Sequence, residues 1–337
     1  MTWRVVIEGS WSPPQRQRLD ARAISPDPAD PTETEKEGDN VFLDSFLMGA
    51  EGARFRTFPM LDINPLGGSF KWREISAPNR AMRIIHKRLN KWLRARRPHL
   101  PYVTGCKLGC SPRRNVLNHS MNRWFYLTDI HAAYPSVKGQ KLAQVLCNLD
   151  KRLHGQEEAV LEFLKKYCLT PDGGLVTGAP ASPELFNIYC SALIDEPLGE
   201  LCRKYGLRYT RYLDDCTFSA KKVRIGHKKR RALRQVIMAA GFEIAHHKSK
   251  VYDLRKGPIT INGVGLEFGG RIFTPRKYLR RINALIYLRS TGRDISIHRI
   301  YGTMGVFKAT CGVTYNRTEA NLVSRYHQMR LREGLRC

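Results

Sequence analysis

Two adjacent aspartates, Asp214 and Asp215, follow Tyr212 and Leu213 between two short runs that favour β-structure. The flanking runs contain aromatic and β-favouring residues, so the sequence predicts a β-hairpin with the acidic pair at its turn. Such a turn is often only structural, because aspartates form local hydrogen bonds in turns. A third carboxylate, Asp129, ends the run 124–128 within the strand-like segment 123–130 and favours a shared metal site instead.

Three carboxylates at the ends of two adjacent strands suit nucleotidyl transfer. That reaction uses two divalent ions roughly 3.5 to 4 Å apart, one activating the attacking 3′-hydroxyl and one binding the triphosphate. Mg²⁺ is the expected metal, because it accepts hard oxygen ligands and shares substrate phosphates. We expect Asp129 and Asp214 to bridge the ions and Asp215, on the other face of the turn, to be the weaker ligand.

A loop-to-helix segment lies between the two acidic strands. Ser182 is predicted to be the N-cap of a helix and Pro183 its first residue. Gly178 and Ala179 precede them and leave backbone room for a bound nucleotide. The position of this loop between Asp129 and the acidic turn favours a substrate role over a purely structural one.

The elements around these residues mix helices and strands. Apolar periodicity predicts helices over 79–94, 137–149 and 227–240, the last ended by Gly241 in the left-handed conformation. Because the strands do not alternate regularly with the helices, the pattern favours an α+β fold over a βαβ array. The predicted inward residues are Met82, Ile85, Leu89 and Trp92 in the first helix and Leu233, Val236, Ile237 and Ala240 in the third.

Charge is distributed unevenly along the 337 residues. The chain has 57 Lys and Arg and 30 Asp and Glu; residues 1–53 hold 5 basic and 10 acidic residues, which leaves 52 basic and 20 acidic in the rest. An excess of this size predicts a polyanionic partner, and nucleic acid is favoured over a membrane because no long apolar run is present. Residues 1–53 form an acidic, proline-rich arm, of which Ser10–Asn40 is predicted to be a loop or disordered.

The nine cysteines are odd in number and scattered, which indicates reduced thiols and a cytoplasmic protein. Cys106 and Cys110 are four apart and have no second Cys/His pair at zinc spacing. A structural metal site is therefore not expected.

Taken in order, these motifs resemble those of the reverse transcriptases, specifically the compact bacterial retron-type and defence-associated group. Seven elements carry the resemblance, which spans about 55–326. They are a fingers segment from Phe70 to Pro78 with Ile84-Ile85, an Asn-x-x-x-His element at Asn115–His119, motif A at Asp129–Ser136, motif B at Gly178–Asn187, motif C at Tyr212–Asp215, motif D at Ile244–Ser249, and motif E with the thumb start at Gly265-Leu266 and Thr274–Tyr278.

The resemblance implies roles for further residues. Tyr134 would be the steric gate that rejects a ribose 2′-hydroxyl, and Lys248, with Lys250 as the alternative, would be the general acid for the leaving pyrophosphate. Lys71 and Arg73 would hold the incoming triphosphate. Ile130 would contribute to both the metal and the substrate site, and Thr177, Gly178 and Ser182 would complete the substrate pocket.

Two turn signals, Asn262-Gly263 and Gly269-Gly270, flank the segment 264–268 and predict a small hairpin. Gly265, Leu266 and Phe268 would form this hairpin and grip the primer. A helix that begins at Pro275 would follow, with Leu279, Ile282, Leu285 and Ile286 inward. Its outward basic residues Lys277, Arg280, Arg281 and Arg289 would track a heteroduplex. The resemblance thus implies primer and template contacts from Gly265, Leu266, Lys277, Arg280 and Arg281.

The resemblance implies a right-hand polymerase with fingers, an RRM-like antiparallel palm and a helical thumb. Fingers and palm would occupy 54–274, with the fingers at about 54–122 and 137–180, and the thumb 275–337. The expected activity is RNA-directed DNA synthesis from dNTPs with two Mg²⁺ ions, or Mn²⁺ in their place. The expected partners are a structured non-coding RNA template, the DNA product, and an effector protein or a second copy of the chain, in anti-phage defence and without a membrane.

Two departures from the family pattern keep alternatives open. Thr177 stands where motif B usually has glutamine, and Gly263-Val264-Gly265 replaces the usual Val-Thr-Gly of the retron thumb. The alternatives are an untemplated or protein-primed DNA polymerase and a non-polymerising RNA-binding scaffold. A group II intron maturase is disfavoured, because about 60 residues after the thumb start leave no room for its extra domains.

Overall fold

The structure is a computed structural model that describes residues 41–63, 70–96, 101–311 and 315–334. The side chains of residues 62, 63, 70 and 71 also lie outside the described part. The loop or disorder predicted for Ser10–Asn40 therefore falls outside the described residues.

Helices and strands alternate irregularly along the chain, which confirms the α+β class. The strands are β1 Phe55–Ile63, β2 Phe70–Pro78, β3 Trp124–Asp129, β4 Arg208–Tyr212, β5 Asp215–Ala220, β6 Lys250–Asp253, β7 Ile259–Ile261, β8 Val264–Leu266 and β9 Ile272–Phe273. The helices are α1 Val41–Asp44, α2 Arg80–Arg96, α3 Pro112–Leu117, α4 Gly139–Leu149, α5 Glu157–Tyr167, α6 Ser182–Cys190, α7 Glu196–Tyr205, α8 His227–Ala239, α9 Arg276–Ser290, α10 Ile297–Thr310 and α11 Arg317–Arg332.

A four-stranded antiparallel sheet in the order β4-β5-β3-β6 is the centre of the fold. Aromatic side chains stack across three of its strands on one face, with ring centroids 5.8 Å apart for Tyr126 and Phe218 and 4.9 Å apart for Phe218 and Tyr209. These rings belong to the main core, which the helices α2 and α4–α8 complete. Phe125, the neighbour of Tyr126, points to the other face and packs in a second, smaller core with β7 and β8.

Helix predictions from periodicity agree with the structure. The four residues predicted to face inward from α2 are buried, and α8 ends before Gly241, whose φ is +95°. The predicted start of α6 is wrong by one residue, because Ala181 is the N-cap and Ser182 is already helical. The Ser182 hydroxyl instead donates to the carbonyl of Val176 at 2.6 Å and holds the preceding loop against the helix.

The small sheet β7-β8-β9 contains the predicted hairpin. Asn262 and Gly263 connect β7 and β8 with φ of +48° and +81°, the positive values that a two-residue type I′ turn requires. Phe268 was expected within this hairpin, but β8 ends at Leu266 and Phe268 lies half-exposed in the following loop.

The last three helices have a core of their own. Pro275 is the N-cap of α9, and the four residues predicted to face inward from that helix are buried. Arg289, predicted to face outward, instead bonds Glu333 at 2.7 Å and the carbonyl of Ile295. The core of this helical unit is formed by Tyr278, Leu279, Ile282, Leu285, Ile286, Ile300, Met304, Phe307, Cys311, Leu322, Tyr326 and Met329.

Candidate active site

The β4–β5 hairpin presents the acidic pair as predicted. Asp214 lies in the two-residue turn, and Leu213 before it has a φ of +56°, a conformation that L side chains rarely adopt. The carbonyl of Asp214 accepts a hydrogen bond of 3.1 Å from the Ile130 amide, while Asp129 lies directly opposite Asp215 in the β3–β5 register. The three carboxylates therefore share one end of the central sheet.

Crowding and burial perturb these carboxylates. Burial raises the pKa of Asp214 to about 6, and the negative charge of Asp129 adds to the shift. Burial, followed by the charges of Asp214 and Asp129, raises the pKa of Asp215 to about 7. The Lys248 ammonium contacts Asp129, and the hydrogen bond to this carboxylate raises the pKa of the lysine. Lys248 is thus a protonated amine in contact with the acidic cluster.

The three neighbouring carboxylates offer hard oxygen ligands and repel one another when they are all ionised. Both properties suit a divalent cation. Within 41–63, 70–96, 101–311 and 315–334, however, no three His, Cys, Asp or Glu side chains form a ready-made metal-ligand group. One Asp129 oxygen contacts Lys248, and one Asp215 oxygen accepts from Asn262. These carboxylate donors fit Mg²⁺, and binding through both Asp129 oxygens would require Lys248 to give up its contact.

A chain of amides orients Asp215. The Asn262 Nδ2 donates to the Asp215 carboxylate at 2.7 Å, and the Asn115 Nδ2 donates to Asn262 Oδ1 at 2.6 Å. Asn115 Oδ1 in turn accepts from the hydroxyls of Thr210 at 2.6 Å and Thr104 at 3.0 Å. The small sheet and the α3 segment therefore fix the direction of a carboxylate on the central sheet.

His119 completes the same polar layer. Its ring is fully buried and lies between the hydroxyls of Ser219 at 2.6 Å from Nδ1 and Thr210 at 2.7 Å from Nε2. Burial, reinforced by the nearby Arg208 cation, lowers the pKa of His119 to about 3. The imidazole is therefore neutral at physiological pH, and its role is to join β4 and β5 to the segment after α3.

A buried arginine supports the turn from the opposite side. Arg211 has no exposed surface and pairs with the Asp195 carboxylate at 2.7 Å. Its Nη1 also donates to the side chain of Asn187 at 3.1 Å and to the carbonyl of Leu213 at 3.0 Å. Arg211 thereby connects the strained residue of the acidic turn to α6 and to the π-helical turn Ser191–Asp195.

The segment after residue 100 packs directly on the turn. Val103 forms a parallel bridge with Arg211, and Gly105 follows it. A Cβ added to Gly105 would lie 2.4 Å from the Leu213 amide nitrogen and 3.0 Å from the Tyr212 Cα. Only glycine allows this approach, so the segment supports the backbone of the acidic hairpin.

The predicted substrate residues lie on the adjoining elements. Tyr134 is half-buried edge-on against Phe186, with ring centroids 5.4 Å apart, and burial followed by the charges of Cys106 and Asp214 raises the pKa of its hydroxyl. The Thr177 carbonyl accepts from the Ser76 amide at 2.9 Å. A Cβ on Gly178 would meet the Ser76 carbonyl oxygen at 3.0 Å, so this glycine has a packing role against β2 besides the predicted one.

The residues predicted to contact the triphosphate and the primer lie on several elements and do not form one site. Arg73 lies exposed on β2, and Lys71 is in the same strand with its side chain outside the described part. The side chain of Leu266 is buried in the small core, and Gly265 lies against the Phe273 ring, so only their backbone could reach a primer. Lys277 and Arg280 are exposed on α9, and Arg281 is half-buried.

The sequence interpretation missed the residues that hold the site in place: Gly105, Asn187, Asp195, Arg211 and Asn262. Asn262 was recognised only as a turn residue. The sequence of β4, Arg-Tyr-Thr-Arg-Tyr, contains no signal that Arg211 would be the buried arginine and Arg208 the exposed one. The partner of Arg211, Asp195, lies 16 residues earlier and cannot be assigned from local pattern.

The chain is similar in sequence to known proteins. Residues 67–268 match the family model described as reverse transcriptase (RNA-dependent DNA polymerase). The chain is 27% identical over 241 residues to the retron Mx65 reverse transcriptase of Myxococcus xanthus, which covers 68% of this chain and 56% of that protein. It is 25% identical over 267 residues to the retron Ec86 reverse transcriptase of Escherichia coli, covering 79% of this chain and 80% of that one.

Among solved structures, the chain is similar to telomerase from Candida albicans in complex with a fragment of telomeric RNA, with a TM-score of 0.47 and 10% identity. That alignment covers 83% of this chain and 57% of the telomerase. No helix in the described part of the chain is long and apolar enough to span a bilayer.

Proposed function

The chain belongs to the reverse transcriptase family, and we propose that it copies RNA into DNA at the carboxylate cluster of Asp129, Asp214 and Asp215. The observation that carries this proposal is the register of the central sheet, which sets Asp129 opposite Asp215 and next to Asp214. The elevated pKa values of both turn aspartates support it, because such a cluster favours binding of a cation.

Asp129 and Asp214 would hold the catalytic Mg²⁺ ions together with Ile130, and Asp215 would lie beside them in the direction set by Asn262. When bound, the ions would activate the 3′-hydroxyl and neutralise the leaving phosphates. Lys248 carries a proton at the edge of this cluster and would donate it to the leaving pyrophosphate. The Tyr134 ring, fixed against Phe186, would exclude a ribose 2′-hydroxyl.

The proposal is tested with the double variant Asp214→Asn, Asp215→Asn. It removes the turn charges and keeps the side-chain shape, so we expect incorporation of dNTPs on a primed RNA template to fall by at least 10³-fold. A matched control, Asp44→Asn with Asp172→Asn, changes the same charge at two exposed aspartates and should keep activity. Unchanged incorporation by the turn variant would refute the mechanism.

Similarity to retron reverse transcriptases supports a structured RNA as the template, a cytoplasmic setting and a role in anti-phage defence. Sequencing the nucleic acid that copurifies with the chain, before and after RNase treatment, tests the template. A DNA product whose sequence maps to an accompanying RNA supports templated synthesis. Thr177 in the position usually held by glutamine leaves the untemplated or protein-primed alternative open, for which the product would match no RNA or would carry an amino acid at its 5′ end.

A further inference from the structure

A cavity of about 490 Å³ opens at the far end of the central sheet from the acidic turn. Arg208, which lines it, lies opposite Ser219 at the start of β4, whereas Tyr212 lies opposite Asp215 at the catalytic end. Four residues of strand separate the two ends, or about 14 Å. The basic end of the cavity at Arg208 is therefore separate from the site where nucleotides would be joined, and the lining extends along β4 as far as Thr210.

The lining of this cavity, hereafter the distal cavity, is basic. It includes Arg203 at the end of α7, Arg208 and Lys221, and it contains no Asp or Glu. Each of the three side chains belongs to an exposed residue, and none forms an ion pair with any residue that the structure describes. Uncompensated cations around a concave surface raise the local concentration of anions and suit phosphate groups.

The neighbouring surface extends this charge. Lys222 and Arg224 follow Lys221, and the first turn of α8 contains Lys228 and Lys229 but no acidic residue. Cations at a helix N-terminus oppose the helix dipole, so this placement does not stabilise α8. A polyanion that passes over the loop and the helix start would offset the repulsion.

Other lining groups distinguish a nucleotide from a simple phosphate. The Asn118 side chain makes no hydrogen bond within the described part of the chain, and Asn122 donates to Ser219 at 2.6 Å. Tyr102 supplies a half-buried ring to the lining, tilted by 33° against the Tyr209 ring with centroids 5.6 Å apart. Amides that can read base edges, an aromatic ring and cations for phosphate are the features that bind unpaired RNA bases.

We propose that the distal cavity binds one unpaired nucleotide of the RNA that the enzyme copies, with its phosphates towards Arg203, Arg208 and Lys221 and its base edge towards Asn118. The inference rests on the proposed function, because that function requires an RNA to remain bound while its template region moves. A contact about 14 Å from the acidic turn anchors the RNA without occupying the cleft.

The test measures fluorescence anisotropy of labelled, unstructured oligoadenylate and oligouridylate over a range of salt concentrations. The triple variant Arg203→Glu, Arg208→Glu, Lys221→Glu should bind at least tenfold more weakly at about 0.1 M salt. The slope of log affinity against log salt should fall by about 1.4, since one nucleotide has two flanking phosphates and each phosphate contact with a single strand contributes roughly 0.7. Extension of a short primer–template with a minimal overhang should stay within about twofold of the unmodified chain.

A control variant carries the same charge change at exposed lysines outside the cavity, Lys91→Glu, Lys141→Glu and Lys151→Glu. If it loses as much affinity and slope as the cavity variant, binding depends on net charge alone and the proposal is wrong. Arg203→Lys with Arg208→Lys keeps the charge and should retain affinity, which shows that the cavity tolerates substitution.

Base recognition is tested with Asn118→Ala. It should change the relative affinities of the two homopolymers by about threefold or more, because an amide contact to a base edge discriminates among bases. Equal weakening for both probes, or equal competition by single-stranded DNA, would overturn the assignment of an RNA base to the cavity. Primer extension by the unmodified chain is measured alongside, so failure of the polymerase proposal is seen independently of RNA binding.

Discussion

Hydrogen bonds from residues that are distant in the sequence fix the orientation of individual side chains in the site. Asn262 is 47 residues from Asp215, yet its amide directs that carboxylate and is itself held by Asn115. Groups that orient ligands in this way commonly change activity 10- to 100-fold when removed. Asn262 is therefore a positioning residue for the Asp215 carboxylate of the proposed active site.

Replacing Asn262 with glycine tests this role. Glycine keeps the positive φ of the turn and deletes only the amide, so we expect kcat to fall about tenfold while the fold is retained. The concentration of Mg²⁺ that gives half-maximal activity should rise as well. Gly263→Asn, at the next position of the same turn, is the control. A purely structural role for Asn262 would lower the melting temperature without changing the Mg²⁺ dependence.

His119 makes stability depend on pH. The unfolded chain binds a proton at this histidine below its usual pKa of about 6.5, whereas the folded chain does so only below about 3. The stability that the neutral ring contributes is thus fully present above pH 6.5 and is lost as the pH falls towards 3.

The substitution His119→Asn removes this titration. At pH 7.5 we expect the variant to be less stable than the unmodified chain, because bonds to Ser219 and Thr210 are lost. The difference should shrink by about 1.4 kcal/mol for each pH unit below 6.5. Denaturant titrations at pH 7.5 and 5 measure it. A difference that is independent of pH would mean that folding leaves the pKa of His119 unchanged.

At the scale of elements, the acidic hairpin depends on the segment that packs against its back. Gly105→Ala would place a methyl group 2.4 Å from the Leu213 nitrogen, which the rigid turn cannot relieve without moving. We expect a loss of about 1–3 kcal/mol in stability and, because the turn carries Asp214, a roughly 10²-fold loss of activity.

Gly226→Ala is the matched control for that change. Gly226 has ordinary negative φ, and an added Cβ meets nothing within 4 Å. Primer extension and thermal melting compare the two variants. If both lose activity equally, the close approach at Gly105 does not position the catalytic turn.

Elements with local signals could be predicted from the sequence. The hairpin around Asp214 and α8 with Gly241 at its end follow from strand propensity, apolar period and turn chemistry, which act over a few residues. Contacts between residues that are remote in the sequence could not be predicted in this way. Arg211 is buried only because Asp195 lies beside it, and the start of α6 shifted because Ser182 bonds Val176 rather than its own helix.

At the scale of the whole molecule, the described residues form three apolar cores that do not merge. The main core surrounds the central sheet, while α9, α10 and α11 share a separate cluster whose residues all follow position 277. Thr274 connects the two regions through Glu319, which accepts from its amide at 3.3 Å. A unit with its own apolar core can open without unfolding its neighbour, so the helical thumb should be able to unfold locally.

Phe307→Ala tests that independence, because Phe307 is fully buried at the centre of the thumb cluster. Its removal should cost about 3–5 kcal/mol within the thumb. The backbone amides of α9–α11 should then lose protection from hydrogen exchange, while those of β3 and β5 keep theirs. The variant should lose processive synthesis more than it loses addition of a single nucleotide. Phe218→Ala is the control, since it lies in the central sheet and should lower protection around the acidic turn. Equal loss of protection in both regions after Phe307→Ala would show that the two cores unfold as one.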